Sequence, residues 1–388
     1  MLWMRWAIAG AAAVAAAPLG QQVFMVDEGT APKLDMSWAS LRRDRVLQLG
    51  DQETVLASEM EKWWLRAQGR RFIDVTEYPD LGKVNAQNMG VLKVHFPALE
   101  HGERLKEAYE HVSDAGPRAD LAKFTSFYTR YYRSESGRRS QRWLMDQVER
   151  LADHFATNTS ISEFKHDWEQ RTIILRIGGA NASRTAERGV TILGAHQDST
   201  SFLPFLRSPG ADDDGSGTVT LLETLRALGA SRWVPESDVE FHFYSAEEGG
   251  LLGSQAVASA YEQDHVRVQA MLQQDMTAFV KRGTTEKVGI VTDYTSPALT
   301  DFVTRLVDAY LDIPYVRTKT NYGASDHASW DRAGYPSAFA IEAAFEDCNL
   351  QNIHTSRDTF DHDEFSFPHI LQFVRLSMAF VVELSGWA

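Results

Sequence analysis

Residues 191–228 read TILGAHQDSTSFLPFLRSPGADDDGSGTVTLLETLRAL. A β-branched apolar run ends at His196, with Asp198 two residues on; a loop then leads to Asp212, Asp213 and Asp214, a Gly-Ser-Gly turn and a helical pattern from Ser216 to Leu228. Carboxylates packed that closely repel one another, so they form either a solvated loop or a cluster held together by cations. The surrounding strand-to-helix order favours cations. Polar residues that follow buried strands of an open α/β sheet collect where such sheets bind ligands.

The same alternation continues outward from this stretch. Arg171 to Ile177, Gly189 to Ala195, Asp238 to Ser245, Val268 to Gln274, Lys287 to Thr292 and Ser337 to Glu342 read as strands, several apolar enough to be buried on both faces. Ser216 to Leu228, Gly250 to Tyr261, Pro297 to Leu311 and Asp326 to Ala333 read as helices between them. Such alternation predicts an α/β fold, a mostly parallel twisted sheet with helices on both faces. Upstream, Arg118 to Phe155 has a helical pattern with a break at Ser136-Gly137, and its stripe of aromatic residues reads as core. Residues 21 to about 97 contain the strand-like run RFIDVTEYPDLGKV and nothing that looks catalytic. His95 and His101 read as incidental surface histidines.

At 388 residues and 44% hydrophobic composition, core size is not limiting. A net charge of -14 with a sequence pI near 5.3, and no basic patch, excludes a nucleic-acid partner. The N-terminus has Arg5, an apolar run from Trp6 to Ala17 and then Pro18, too short to span a bilayer, and reads as a secretory signal over residues 1–20. The apolar C-terminal stretch Ile370 to Leu384 is interrupted by Arg375 and Glu383, so no membrane anchor is expected. Cys348 is the single cysteine, which leaves stability to the core and to bound metal. Asn158 and Asn181 begin N-x-Ser/Thr sequons.

The polar residues just beyond the apolar runs form a set: His196 and Asp198, Glu247 and Glu248, Asp275, and His354 in NIHTSRDTFD, with Asp212 to Asp214 before the helix. Imidazole nitrogen together with carboxylate oxygen suits zinc, whereas calcium and magnesium favour oxygen alone. HExxH is absent. Five ligands exceed what one tetrahedral ion with an open position takes, and suit two ions that share a bridging carboxylate.

In this order and with compatible gaps, AHQDS, PGADDDGSG, SAEEGGLLGS, QQDMT, SDHASW and IHTSRDT resemble the two-zinc leucyl aminopeptidases secreted by bacteria and fungi. The resemblance covers residues 118 to 388, and RFIDVT is similar to the propeptide of the fungal members. It implies a signal peptide (1–20), a propeptide (21–97) and a catalytic domain (98–388). It also implies two zinc ions, with Asp213 bridging, His196 and Asp275 on one ion, and Glu248 and His354 on the other. Asp198 becomes the carboxylate that orients His196, Glu247 the general base acting on a water shared by the metals, and Tyr322 an aid to the transition state. Asp212 and Asp214 become neighbours of the ligand, and His327 a loop residue. The family brackets its tyrosine with two disulfide-bonded cysteines; Thr320 and Ala324 stand there in this chain. Met276, Val291, Ile341 and Phe345 match the family's apolar pocket for the first side chain.

The implied activity is hydrolysis of the N-terminal peptide bond of peptides and proteins, with Leu-like, Met-like or Phe-like first residues. The implied enzyme is a secreted monomer, extracellular or periplasmic. A carboxypeptidase or dipeptidase on the same metals needs basic side chains for the substrate carboxylate, and the sequence shows no convincing cluster. A glutaminyl cyclase binds one zinc and need not keep the full ligand set. A catalytically dead receptor ectodomain would lack ligands or carry an evident membrane attachment.

Overall fold

Side chains that alternate along each strand sort into two cores on opposite faces of one sheet, which is how the α/β pattern becomes three layers. The protein is described by a computed structural model at residue 34 and residues 37–50, 53–88 and 96–388. The expected signal peptide, residues 1–20, lies outside the described residues, as do residues 21–33 and 89–95 of the segment expected to be a propeptide, His95 among them. The strands are β1 (Asp44–Gln48), β2 (Thr54–Ser58), β3 (Ile73–Asp74), β4 (Thr159–Phe164), β5 (Thr172–Ile177), β6 (Val190–His196), β7 (Val239–Tyr244), β8 (Val268–Gln274), β9 (Val288–Val291), β10 (Tyr315–Thr318) and β11 (Ser337–Ile341).

The large sheet runs β10-β9-β11-β8-β6-β7-β5-β4. Its centre, β11-β8-β6-β7, is parallel throughout. The margins turn over: β5 and β4 pair antiparallel on one side, and β9, itself parallel to β10, pairs antiparallel with β11 on the other. Leu175, Leu193, Phe241 and Leu272 face a core shared with helices Glu135–Ala152, Gly217–Ala230, Pro297–Tyr310 and Phe367–Ser385. Ile174, Ile192 and Met271 face the other core, against Val257 of helix Leu252–Gln263 and Trp330 of helix His327–Arg332.

The six strands and four helices expected after residue 170 are present within a few residues of their expected ends. β4 and β10 were not expected; one is a half-exposed edge strand with alternating polar residues, the other only four residues long, and neither carries a buried apolar run. The helical reading of Arg118 to Phe155 is corrected. Helices Ala115–Phe124 and Glu135–Ala152 are separated at residues 125–134, not at Ser136-Gly137. Ser134 is the cap of the second helix, accepting the Gly137 N–H at 2.9 Å. Gly137 lies inside its first turn because a Cβ there would sit 2.2 Å from the Tyr131 carbonyl oxygen. Tyr131 and Tyr132, in the connecting loop, are buried as the sequence reading of core required.

Helix Phe367–Ser385 is long and apolar enough to cross a membrane by length and composition, yet most of it is buried inside the protein against the Gly217–Ala230 helix. Glu383, one of its interrupting charges, accepts the Glu100 and His101 N–H groups at 2.8 and 3.0 Å. His101 is therefore half-buried at a docking point.

Residues 37–88 form a small antiparallel sheet, β2-β1-β3, with helix Glu59–Ala67. Its own interior is held together by buried charge, and hydrogen bonds join it to the large unit. Lys62 Nζ lies 2.9 Å from Asp74 and 3.2 Å from Glu59, and Arg45 Nε lies 3.1 Å from Glu59. Burial alone would raise the Glu59 and Asp74 carboxyls; Lys62, joined by Arg45 at Glu59, outweighs it and holds both below their ordinary range. Tyr132 donates to Glu59 at 3.3 Å, and the Asp74 N–H donates to the Gly250 carbonyl at 3.0 Å.

One close approach links the fold to the site. At Gly217 a Cβ would meet the Gln274 carbonyl oxygen at 2.2 Å and Asp214 Oδ1 at 2.4 Å. Gly217→Ala is expected to destabilise the protein by about 1–3 kcal/mol through overpacking and to weaken zinc binding. Thermal unfolding and competitive zinc titration measure the two effects, and an unchanged zinc affinity would separate this helix start from the site.

Candidate active site

The ligand candidates converge because parallel strands deliver their carboxyl ends to one edge. His196 ends β6, Glu247 and Glu248 follow β7, Asp275 follows β8, and His354 lies in the loop after β11. Asp213 stands between the two histidines: Oδ1 is 3.1 Å from His196 Nε2 and Oδ2 is 3.0 Å from His354 Nε2. Glu248 Oε2 is 3.0 Å from His354 Nε2, and Asp275 Oδ1 is 3.6 Å from His196 Nε2. Glu247 stands at the edge of this group, 4.0 Å from His196 Nε2 and only partly buried.

Ligand atoms of Asp213, Glu248 and His354 lie within 4.8 Å of one another, and so do those of His196, Asp214 and Asp275. Asp214, however, is committed to backbone: its carboxylate accepts the N–H groups of His196, Gly217 and Met276 at 3.0, 2.8 and 3.2 Å. Glu248 Oε1 and Asp275 Oδ1 are buried with no hydrogen-bond partner. Orphaned carboxylate oxygens beside two imidazoles are acceptors waiting for a cation, and this donor set fits zinc.

The electrostatics of the chain's own groups agree. Burial would raise the Asp213 carboxyl, but His196 and His354 outweigh it and hold it far below the ordinary carboxylate range. Burial pushes Glu247 well above that range against the pull of His196. Burial would lower His354; Glu248 and Asp213 instead push it up to about 9. Bound zinc would reverse these balances, since the ion becomes the largest local charge.

Behind the ligands, a layer of buried carboxylates grips backbone N–H groups. Asp198 accepts from Glu247 and Glu248 at 3.1 and 3.2 Å, and so places both glutamates. His196 Nδ1 faces the Asp198 backbone carbonyl at 3.1 Å and its carboxylate at 3.5 Å. Asp212 is turned away from the histidines, accepting from Ala278 N–H and Asn349 at 3.2 and 3.0 Å. Asp358 accepts the N–H groups of Asp212 and Asp213 at 2.9 and 3.1 Å. Arg130 is fully buried, its guanidinium stacked 4.1 Å from the Phe124 ring centre. It donates to the carbonyls of Gln197, Pro209 and Gly210 on the two loops that carry His196 and Asp213.

A cavity of about 400 Å³ opens onto this centre. Met276, Ile341, Phe345 and Tyr322 line it. Val291 departs from the expected pocket: it is fully buried in the same apolar cluster and does not reach the cavity, because it pairs with Phe339 in the ladder and Phe339 forms the wall. His327 is buried away from both ligand groups, stacked 4.7 Å from the Phe339 ring, and burial lowers its pKa to about 3.

Sequence reasoning missed five contributors. Ser325, in the SDHASW motif, donates to Asp275 Oδ2 at 2.6 Å. Asp358 sits in the IHTSRDT motif and was legible as part of it, though its role was not. Arg130 carried no signal beyond an arginine in an aromatic stripe. Arg66 and Arg71 reach the cavity from the N-terminal segment, Arg66 donating to the Glu248 carbonyl and Arg71 to the Tyr322 hydroxyl. The sequence shows no convincing basic cluster for a substrate carboxylate, and these two arginines were not legible there because they lie far from the candidate ligand motifs in sequence and meet them only through the fold.

Residues 172–378 match the model of peptidase family M28. The chain is 47% identical over 355 residues to leucine aminopeptidase 1 of Grosmannia clavigera, covering 88% of this chain and 85% of that protein. It is 45% identical over 354 residues to leucine aminopeptidase 1 of Coccidioides posadasii, covering 88% and 89%. Its fold is similar to the crystal structure of the Legionella pneumophila LapA aminopeptidase, with a TM-score of 0.77 and 26% identity over 89% of this chain and 99% of that one.

Asp358→Ala removes the acceptor for two backbone N–H groups flanking the residue between the histidines. Zinc affinity is expected to fall about 10–100-fold, as when other supports of metal ligands are removed. Competition with a chromophoric chelator measures it; an unchanged affinity would show that Asp213 holds its place without Asp358.

Proposed function

The chain belongs to peptidase family M28 and is a zinc-dependent aminopeptidase; we propose that it is a secreted monomer with no membrane anchor, holding two zinc ions and preferring peptides with a Leu-like first residue. The observation that carries the two-metal reading is Asp213, with one carboxylate oxygen near each of two imidazoles. We assign His196, Asp213 and Asp275 to one ion and Asp213, Glu248 and His354 to the other.

Zinc bound there supplies Lewis-acid chemistry, activating water and polarising the scissile carbonyl. The chain's own groups do the rest. Glu247, its N–H anchored on Asp198 and its carboxylate beside the ligands, takes a proton from the attacking water and delivers it to the departing amine nitrogen. The Tyr322 hydroxyl donates to the carbonyl oxygen as charge develops on it. Thr320 Oγ1 donates to the Tyr322 carbonyl at 2.8 Å and so supports the loop in which the family has its disulfide. The first side chain lies against Met276, Ile341, Phe339 and Phe345, an apolar wall that favours leucine over polar residues.

Residues 21–97 are assigned as a propeptide, and 98–388 as the catalytic domain. The signal-like N-terminus supports secretion. The propeptide reading is supported by the placement of residues 66–72 across the cavity mouth, where Arg71 occupies the Tyr322 hydroxyl.

Glu247→Gln is expected to keep its zinc and to lose about 10²–10⁴-fold in kcat; metal analysis alongside leucyl anilide turnover tests this, and a near-normal rate removes Glu247 as the base. Excess chelator should abolish wild-type turnover and added zinc restore it, with activity surviving chelation as the contrary result. Secreted protein should begin near Phe96; N-terminal sequencing that starts near Gln21 refutes the cleavage while leaving the catalytic assignment untouched.

A further inference from the structure

We propose that, while residues 37–88 are seated on the catalytic unit, the site takes short peptides with a free C-terminal carboxylate, dipeptides above all, and that Arg71 binds that carboxylate. The proposal rests on the aminopeptidase reading of the metal centre. It adds a substrate class for the chain before the N-terminal segment is removed, or wherever that segment is retained.

The segment roofs the site without filling it. Arg66, Ala67, Gly69, Arg70, Arg71 and Phe72 form one wall of the cavity, and Asp213, Glu247, Glu248 and Asp275 lie on another. The space between is about 400 Å³, within the range of small-molecule sites. A dipeptide fits such a volume, whereas a longer chain continuing past its second residue would run into residues 66–72. The roof is held rigidly: the buried Lys62, Glu59, Asp74 and Arg45 cluster lies behind it, and Asp74 is bonded to the Gly250 carbonyl, two residues beyond Glu248.

The charges at the cavity walls match a zwitterion. A free amine meets the carboxylate wall. A free carboxylate would be repelled there and needs a cation. Of the three arginines in the roof, Arg70 is paired with Glu53 at 3.1 Å, and Arg66 donates to the Glu248 carbonyl. Arg71 is different. Its guanidinium is 4.9 Å from the Tyr322 ring centre and 5.2 Å from that of Phe345, and it donates to the Tyr322 hydroxyl. Among the described residues no carboxylate lies within ion-pair distance of it. A guanidinium has five donors, so one bond to Tyr322 leaves enough for a two-pronged contact with a carboxylate.

The spacing is also right. Tyr322 is the residue assigned to the scissile carbonyl, and successive Cα atoms across a trans peptide are about 3.8 Å apart. The carboxylate of the second residue therefore falls within reach of a guanidinium that already touches Tyr322. Phe345 and Tyr322 hold the guanidinium beside their rings, which restricts the direction of its remaining donors.

The test compares Leu-Gly with Leu-Gly amide on the intact, zinc-loaded full chain and on the protein recovered after removal of the segment in secretion. The intact chain should favour the free acid by about tenfold or more in kcat/KM, chiefly through KM. Arg71→Gln should move that ratio toward one, and Arg71→Lys, which keeps the charge but not the fork, should give an intermediate ratio. A tetrapeptide beginning with leucine should be poor for the intact chain and good for the processed protein. A wild-type ratio near one, a ratio unmoved in a folded Arg71→Gln variant, or an intact chain that turns over neither compound overturns the proposal; if Arg71→Gln fails to fold, the wild-type ratio and Arg71→Lys decide. Processed protein that is active on leucyl anilide leaves the aminopeptidase reading standing in each case, and processed protein that is inactive sinks that reading itself.

Discussion

Carboxyl groups kept out of water in one place are the constraint on which the rest of the structure depends. Asp198, Asp212, Asp214, Glu342 and Asp358 are all fully or almost fully buried, and each accepts at least one backbone N–H. An ionised carboxylate is tolerated in such surroundings only when donors or cations surround it. The loops at the carboxyl edge of the sheet are shaped to supply them. Arg130 adds a buried positive charge behind the cluster and ties together the loops of His196 and Asp213. Loops that elsewhere would be mobile are therefore fastened, and the candidate ligands Glu248 and Asp275 are left with buried, unpaired carboxylate oxygens.

The parallel centre of the sheet and the helices around it were legible because a buried strand needs an unbroken apolar run, and each such run is visible. The same logic drew attention to the candidate ligands, since a polar residue at the end of such a run interrupts an otherwise apolar text. Edge strands carry no such run, which is why β4 and β10 were invisible. Ser136-Gly137 misled for a related reason: glycine marks a break when read alone, but here it admits the Tyr131 carbonyl into a helix start. Val291 was misplaced because alignment with a family feature cannot tell which member of a cross-strand pair faces a cavity and which faces away.

What sequence could not reach was everything that acts across a long separation. Arg66 and Arg71 meet Glu248 and Tyr322 only after the small N-terminal sheet docks, and a one-dimensional reading has no means of ranking one arginine above another. The docking itself uses hydrogen bonds across the seam: Glu262 accepts the Gly82, Val84 and Asn85 N–H groups, and the Asp74 N–H donates to the Gly250 carbonyl. Ile73 and Val75 also pack against Leu251 and Ala328, while the segment's surface still shows Trp38, Leu56 and Trp64 to solvent.

The order in which the ligands occur along the chain carries a last consequence. His196, Asp213, Glu248 and Asp275 are all made before β11, while His354 comes after it. Domains fold as the chain leaves the ribosome only when their contacts are complete. The central position of the sheet between β9 and β8 is filled by β11. Until it enters, the sheet is split, and the second imidazole has no anchor. The candidate site is therefore incomplete in a growing chain until both β11 and His354 have been made.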